Sequence, residues 1–302
     1  YVKFIMSDTG ALDLAEKQYD GLIIGNQGAN FSVGANIGMI FMMAVEQEYD
    51  ELNAAIKYFQ DTVMRLRYSC IPTVVAPHGL TLGGGCELTL HADRVVAAAE
   101  TYIGLVEFGV GVIPGGGGSK ELTLRASDSY RKNDVQLNRL QEFFLTIGMA
   151  KVATSAYEAY DLNLLQKGKD VVVVNKDRQI AVAKQTARMM ADMGYTQPQQ
   201  RQDIMVLGQQ ALGMFLVGTD AMQAGHFISE HDKKIANKDD IDPTRSLIFG
   251  FVSKCISSRK PITKIGTRQI KNQSLKIPPN INSTVIIDNK IPRPPNRGVE
   301  LE

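Results

Sequence analysis

The chain has 302 residues, of which 44% are hydrophobic and 22% charged, a composition that excludes a disordered or collagen-like chain. The formal net charge of +1 argues against general binding to nucleic acid or to a membrane surface. Cys70, Cys86 and Cys255 are too few and too widely spaced for a disulfide framework, so we expect a reducing, cytoplasmic compartment. The longest apolar run, residues 37–45, is shorter than the roughly 20 residues of a membrane helix.

The first half of the chain alternates between predicted strands and predicted helices. Apolar runs framed by Gly or Pro predict strands, and apolar residues at helical spacing predict helices. We predict strands at 21–25, 72–77 and 94–98, and helices at 11–18, 43–67 and 85–92. After Pro114 we predict helices at about 118–126, 133–149, 154–165, 178–193 and 200–236, with one strand at 171–175. This order indicates an α/β core followed by a mainly helical region at 119–238.

The last 64 residues differ from the rest in charge and in proline content. Residues 239–302 contain 11 Lys and Arg against 6 Asp and Glu, and they hold 7 of the 11 prolines. Because proline interrupts helices and removes backbone donors, this stretch reads as a basic, irregular tail. We therefore place a domain boundary near Lys238, with one domain at 1–238, and expect limited proteolysis to begin beyond that residue.

Three segments carry most of the unusual glycines, at 25–38, 79–85 and 104–118. A Walker loop needs a Gly directly before its Lys, but Ser119 precedes Lys120. No segment has the G-x-G-x-x-G spacing between a strand and a helix. Both kinds of phosphate-binding loop are therefore excluded.

The glycines before Glu87 suggest a different chemistry. The segment 82–87 follows a predicted strand and opens a predicted helix, where exposed N–H groups carry partial positive charge and can hold a developing oxyanion. Glu87 and Glu107 add two carboxyl groups, which suits proton transfer next to a thioester or carbonyl. From spacing alone, glycine-rich packing with two surface glutamates remains the alternative. No metal site is predicted, because the four histidines are scattered at His78, His91, His226 and His231.

Three segments in the same order resemble the crotonase (enoyl-CoA hydratase/isomerase) superfamily. They are Phe31–Ile37, Leu82–Leu88 and Glu107–Gly118, and the segment Ser155–Leu165 is similar to the part of the family that follows the second glutamate. The resemblance covers roughly residues 11–238 and is strongest to the hydratase part of bacterial bifunctional 3-hydroxyacyl-CoA dehydrogenase/enoyl-CoA hydratase chains. It implies an α/β crotonase-like (ClpP/crotonase) fold, with a β-β-α spiral core and a C-terminal helical region. It also implies a homo-oligomer, a trimer or a dimer of trimers.

The resemblance also assigns roles to individual residues. The backbone N–H groups of Ala35 and Gly84 would form the oxyanion hole. Glu87 would position and deprotonate a water molecule, and Glu107 would deliver the α-proton. The residues implied to contact the acyl-CoA substrate are Val33, Gly34, Asn36, Ile37, Gly83, Pro114 and Gly115. Coenzyme A would arrive as part of the substrate, with no tightly bound cofactor.

The predicted function is that of an enoyl-CoA hydratase domain of fatty-acid β-oxidation, as part of a 3-hydroxyacyl-CoA dehydrogenase chain. One alternative is a crotonase-fold isomerase, hydrolase or decarboxylase, and another is a non-catalytic oligomerisation or scaffold domain. The sequence departs from the family at Asn36, where many members have Asp, and in lacking most of the N-terminal strands before Ala11. We therefore expect a fragment of a longer chain, without its dehydrogenase part.

Overall fold

The computed structural model describes residues 10–237 and the two-residue strand at 285–286. The helices in these ranges are α1 (Gly10–Gln18), α2 (Ile37–Val45), α3 (Tyr49–Arg67), α4 (Gly84–Leu90), α5 (Gly118–Ser129), α6 (Gln136–Gly148), α7 (Ala156–Asp161), α8 (Gln179–Asp192), α9 (Gly208–Ala224) and α10 (Glu230–Asn237). The strands are β1 (Leu22–Ile24), β2 (Thr73–Val75), β3 (Gly79–Leu82), β4 (Arg94–Ala98), β5 (Thr101–Gly104), β6 (Val152–Ala153), β7 (Val171–Val173) and β8 (Val285–Ile286).

The strands form two sheets. The larger sheet has the order β7-β4-β2-β1-β8, in which β7, β4, β2 and β1 run parallel and β8 pairs antiparallel with β1. The smaller sheet has the order β3-β5-β6, with β3 parallel to β5 and β6 antiparallel to β5. Every residue of β1 and β2, in the middle of this sheet, is buried, as is typical of parallel strands covered on both sides.

Consecutive strands alternate between the two sheets. β2 lies in the larger sheet, β3 in the smaller one, and α4 follows; β4, β5 and α5 repeat this arrangement. A shorter form of the same unit begins at β1, after which Ser32 forms a parallel bridge with Thr81. This repetition confirms the predicted α/β class with its β-β-α core.

The smaller sheet was not predicted. β3 begins at Gly79 and ends at Leu82, inside one of the glycine segments, and β6 has only two residues. Glycine has low intrinsic preference for strands, so neither composition nor alternation marks these segments. Their pairing, such as Thr81 with Ile103, is made by residues distant in sequence.

Two predicted helices are each divided into two. The prediction of one helix at 43–67 is wrong, because α2 ends at Val45 and α3 begins at Tyr49, with Gln47 at a φ of 60° reversing the chain between them. The predicted helix at 200–236 is likewise wrong, because α9 and α10 are separated by a turn in which His226 has a φ of 57°. Gln47 is not a usual residue for a left-handed turn, so the sequence carries no clear stop signal after α2. After α9, by contrast, Gly225 follows the last helical residue and is a stop signal that the prediction overlooked.

Apolar side chains pack on both sides of the larger sheet. One cluster joins Leu12 of α1 and Val63 of α3 to the apolar residues of β1 and β2. A second cluster surrounds α4 and α5. On the opposite face of the larger sheet, a third cluster packs α8 against Ile23 of β1 and Val74 of β2. The prediction for residues 239–302 lies outside the described residues, apart from the pairing of β8. Among the described helices, none has the length and apolar character needed to cross a membrane.

Candidate active site

Three chain segments meet where the strands of the smaller sheet end. β3 and β5 are parallel, and the segment at Ser32 runs beside β3 through hydrogen bonds from Ser32 N to Leu80 O and from Leu82 N to Ser32 O. The carboxyl ends of parallel strands lie at one edge of a sheet. The residues that follow them, at 34–36, 83–84 and 107, are therefore brought together at this edge.

Two glycines allow the segment after Ser32 to contact the segment after β3. Gly34 and Gly83 have φ values of 87° and 54°, which favour glycine. A Cβ added to Gly34 would lie 3.1 Å from Leu82 O and 3.2 Å from Gly84 N. Any larger residue at position 34 would push against the backbone at Gly84.

The two amides expected to bind an oxyanion lie next to helix N-termini. Gly84 is the first residue of α4, so its N–H has no partner within the helix. Ala35 is exposed and precedes Asn36, whose side chain caps α2 by accepting a 3.2 Å hydrogen bond from Met39 N. Asn is as good a helix cap as Asp, which explains why Asn36 can stand where many family members have Asp. The convergence of the two amides on one oxygen stays a prediction.

Glu87 is held by the third glycine segment. It lies on α4, is 3% exposed, and its Oε1 accepts hydrogen bonds from Gly116 N at 2.8 Å and Gly118 N at 2.9 Å. Because α5 begins at Gly118, these amides belong to the positive end of that helix. The carboxyl group is therefore fixed in direction by backbone rather than by flexible side chains.

Glu107 has different surroundings. It begins a short 3-10 turn after β5, and its Oε2 is buried without a hydrogen-bond partner among the described residues. Its Oε1 faces Gly83, since a Cβ added to that glycine would lie 3.4 Å away. The second carboxyl group thus lies beside the backbone that carries Gly84, with one oxygen available to a ligand.

The two carboxyl groups influence each other's charge. Burial raises the pKa of Glu87 to about 7, although the amides of residues 116–118 and the charge of Lys120 oppose the shift. Burial and then the charge of Glu87 raise the pKa of Glu107 to about 8. At neutral pH the pair therefore shares protons, which is the condition for one group to accept a proton while the other donates one.

The residues expected to contact the substrate fall into two groups. Val33 and Ile37 are exposed, at 60% and 52%, on either side of the Ala35 amide. Pro114 is instead buried, and the carbonyl of Gly115 accepts a 2.6 Å hydrogen bond from Gln60 Nε2. The contact of Pro114 and Gly115 with substrate stays a prediction.

Several residues near the site were not predicted from the sequence. Phe59 of α3 packs against Gly84, since a Cβ added to that glycine would lie 3.5 Å from the ring, and Gln60 holds Gly115. The i, i+3, i+4 spacing of Ile56, Phe59 and Gln60 marks one face of α3, and this spacing was the available signal. A charged cluster next to Glu87 was also missed; it contains Arg67, His91, Lys120 and Glu121. In the described part of the chain, no group of three or more His, Cys, Asp or Glu residues could hold a metal ion.

An α/β core that places two buried carboxyl groups beside glycine amides is typical of an acid–base catalytic domain. Residues 9–137 match the family described as Enoyl-CoA hydratase/isomerase. This segment therefore belongs to that family, and the chain carries a crotonase-type domain.

Relatives with the same kind of domain are longer than this chain. A Bacillus subtilis protein whose name describes a 3-hydroxyacyl-CoA dehydrogenase is 45% identical over 227 residues, which is 75% of this chain and 28% of the relative. A Rickettsia felis protein whose name describes a fatty acid oxidation complex trifunctional enzyme is 38% identical over 122 residues, covering 40% of this chain and 17% of the relative. The chain thus spans only a minor part of each relative.

Solved structures also match at lower identity. A crystal structure of an enoyl-CoA hydratase from Polaromonas is 22% identical, with a TM-score of 0.49, and the match covers 81% of this chain and 84% of that one. An enoyl-CoA hydratase from Bacillus anthracis is also 22% identical, with a TM-score of 0.48, covering 76% of this chain and 75% of that one.

Proposed function

We propose that this domain adds water across the double bond of a trans-2-enoyl-CoA thioester. The observation that supports this most is the pair of carboxyl groups: Glu87 is held by two amides, while one buried oxygen of Glu107 has no hydrogen-bond partner in the described part of the chain. Hydration needs a base for water and an acid for the neighbouring carbon. Two carboxyl groups with raised pKa values provide both at neutral pH.

The proposed reaction transfers two protons and passes through a state with negative charge on the thioester oxygen. Glu87 accepts a proton from water as the water oxygen bonds to C3 of the substrate, and the electrons of the double bond move towards the thioester. The amides of Ala35 and Gly84 stabilise the resulting negative charge on the thioester oxygen. Glu107 then donates its proton to C2, which gives a 3-hydroxyacyl-CoA. Coenzyme A enters and leaves with the substrate.

The direct test is a hydration assay with crotonyl-CoA on the whole chain. Replacing Glu87→Gln or Glu107→Gln keeps side-chain volume and removes one proton-transfer group. Each variant should lower turnover by roughly 10²–10⁴-fold, the usual contribution of a positioned acid or base. Glu100→Gln is the matched control, because Glu100 is exposed and its carboxyl group accepts a hydrogen bond from Tyr102 Oη, away from the two site carboxyl groups in sequence.

A second substrate separates hydration from the related reaction. The same preparations are given a 3-enoyl-CoA, which an isomerase converts to the 2-enoyl form without adding water. Fast isomerisation with slow hydration, or full hydration activity in either Gln variant, would contradict the proposed hydratase. Absence of turnover on both substrates by a folded chain would support the non-catalytic alternative instead.

The longer relatives suggest where such a product would go. We propose that the 3-hydroxyacyl-CoA formed here is passed to a dehydrogenase, because the name of the Bacillus subtilis relative describes that activity. The trimeric or hexameric assembly implied by the family resemblance also stays a proposal. Sedimentation of the purified chain tests it directly.

A further inference from the structure

A buried cluster of charged residues lies next to Glu87 and joins three helices. Lys120 Nζ of α5 is 2.9 Å from Nε2 of His91, which directly follows α4, and 2.6 Å from Glu121 Oε1. Arg67 of α3 completes the cluster with a 2.8 Å ion pair to Glu121 Oε2. The His91 and Glu121 side chains are 0% and 2% exposed, so the cluster is unusual for a soluble domain.

The cluster contacts the elements that hold Glu87. His91 caps the end of α4, four residues after Glu87, and its Nδ1 is 2.7 Å from the backbone oxygen of Glu87. The ring also packs against Gly117, because a Cβ added to that glycine would lie 3.1 Å from His91 Nε2. Gly117 lies between the two residues whose amides bind the Glu87 carboxyl group.

Within the cluster, the single carboxylate of Glu121 pairs with two cations, Lys120 and Arg67. Burial lowers the pKa of His91 to about 3, so its ring is neutral, donates from Nδ1 to the Glu87 carbonyl and accepts from Lys120 at Nε2. Burial alone would raise the pKa of Glu121, but the neighbouring His91, Lys120 and Arg67 lower it to about 2. Glu121 therefore stays ionised and holds Lys120 in place.

We propose that Lys120, fixed by His91 and Glu121, is a positioning residue for Glu87: it locks the start of α5 against α4 and places a positive charge beside the carboxyl group. The charge of Lys120 favours the ionised form of Glu87, whereas Glu107 opposes it. The titratable and charged groups around Glu87 come from α3, α4, α5 and the 3-10 turn. They are Arg67, Cys86, His91, Glu107, Lys120, Glu121 and Arg125.

The experiment compares the titration of Glu87 in the whole chain and in three variants. Lys120→Met keeps the length of the side chain and removes its charge, Lys120→Arg keeps the charge, and Lys57→Met removes an exposed lysine that pairs with Asp61 on α3. Carbon-13 carboxyl NMR follows the midpoint, with the Glu87 signal assigned by its loss in Glu87→Gln. This readout requires no turnover.

We expect Lys120→Met to raise the midpoint of Glu87 by roughly 0.5–1 pH unit, because a nearby positive charge has been removed. Lys120→Arg should restore most of the shift, and Lys57→Met should match the unmodified chain. In the crotonyl-CoA assay, the acidic limb of the pH profile of kcat/KM should shift to higher pH by the same amount in Lys120→Met. A merely structural role would lower activity without moving this limb.

A folded Lys120→Met variant with an unchanged Glu87 midpoint would overturn the proposal. If that variant does not fold, the double variant Lys120→Met with Glu121→Gln is compared with Glu121→Gln alone, and the loss of the Lys120 charge must again raise the midpoint of Glu87. The kinetic test of the positioning role rests on the proposed function, whereas the NMR titration does not. A shifted midpoint in a chain with no turnover would therefore support the positioning role and contradict the hydratase.

Discussion

Glu87 and Glu107 are the same residue type, but their hydrogen bonds assign them different charge states. Glu87 accepts two backbone N–H groups, which stabilise the ionised form, whereas the buried Oε2 of Glu107 accepts none. We therefore expect the shared proton to reside mainly on Glu107. This agrees with the predicted roles, in which Glu87 takes a proton from water and Glu107 supplies one to carbon.

The raised pKa of Glu107 gives a prediction for stability. A carboxyl group whose pKa rises from 4.5 to about 8 on folding stabilises the protein below pH 4.5 relative to higher pH. That contribution is lost as pH rises through 8, at a slope of up to about 1.4 kcal/mol per pH unit. Glu107→Gln removes the titration. In urea unfolding at several pH values, the free energy of unfolding of Glu107→Gln should rise relative to that of the unmodified chain as pH increases towards 8. Parallel plots of the two free energies against pH would contradict the prediction.

A second single-residue prediction concerns Gly116. A Cβ at this position would lie 2.5 Å from Glu87 Oε2 and would also meet the Phe59 ring. Gly116→Ala should therefore displace the carboxyl group, lower hydration sharply and destabilise the fold by about 1–3 kcal/mol through overpacking. Enzyme assay and urea unfolding measure the two effects.

Gly213 provides the matched control for this substitution. It is exposed in the middle of α9, and an added Cβ would have nothing within 4 Å. Gly213→Ala should leave turnover unchanged and stabilise by about 0.5–1 kcal/mol, because alanine is the better helix former. Equal effects of the two substitutions would show that the space around Gly116 is not limiting.

Among the helices, α2 is apolar yet has no buried residue. Its sequence, IGMIFMMAV, contains no charged side chain, and Phe41 is 65% exposed. Since little packing holds it in place, its stability depends on local interactions, chiefly the cap from Asn36. The methionines of α2 are therefore not part of the core in the described chain, and the helix follows directly on the Ala35 amide.

This dependence on one cap is testable. Asn36→Ala should increase hydrogen exchange across residues 37–45, because the loss of a cap costs about 0.5–2 kcal/mol of local stability. The global unfolding midpoint should stay within error, since α2 contributes little to the core. Asn36→Asp should keep the protection. A global loss of stability in Asn36→Ala, or unchanged exchange in α2, would contradict the prediction.

At the scale of the whole molecule, β1 is paired on both sides. β2 lies parallel on one side, and β8 adds an antiparallel pairing of Ile23 with Ile286 and Ile24 with Val285 on the other. The apolar clusters of the described chain are nevertheless built from residues between Leu12 and Ala187. A segment far along the sequence thus extends the sheet by one strand.

We therefore expect a chain ending at Lys238 to fold cooperatively. It loses the short β8 pairing and keeps the three apolar clusters, so its circular dichroism should show the same transition as the full chain with a modestly lower midpoint. The candidate site lies at the smaller sheet, and β8 belongs to the larger one. We therefore expect the shortened chain to keep its hydration activity. A non-cooperative transition in the shortened chain would show that the residues after 238 are needed for folding.

Local pattern alone determined most elements of the larger sheet and the candidate carboxyl pair. Short apolar runs predicted β1, β2, β4 and β7, and Gly or Pro frames the first two of these runs. The glycine segments indicated close backbone approach, and Glu87 and Glu107 stood within or beside them. These features are encoded by neighbouring residues, so they can be read along the chain.

Only the tertiary structure decided the smaller sheet, the break between α2 and α3, and the environment of Glu87. β3 and β5 exist because they pair with each other, and the turn at Gln47 carries no glycine or proline to announce it. Lys120 and His91 are 29 positions apart, yet their nitrogen atoms are 2.9 Å apart once α4 and α5 pack. Distances of this kind are set by long-range packing, which determines how a carboxyl group visible in the sequence shares its proton.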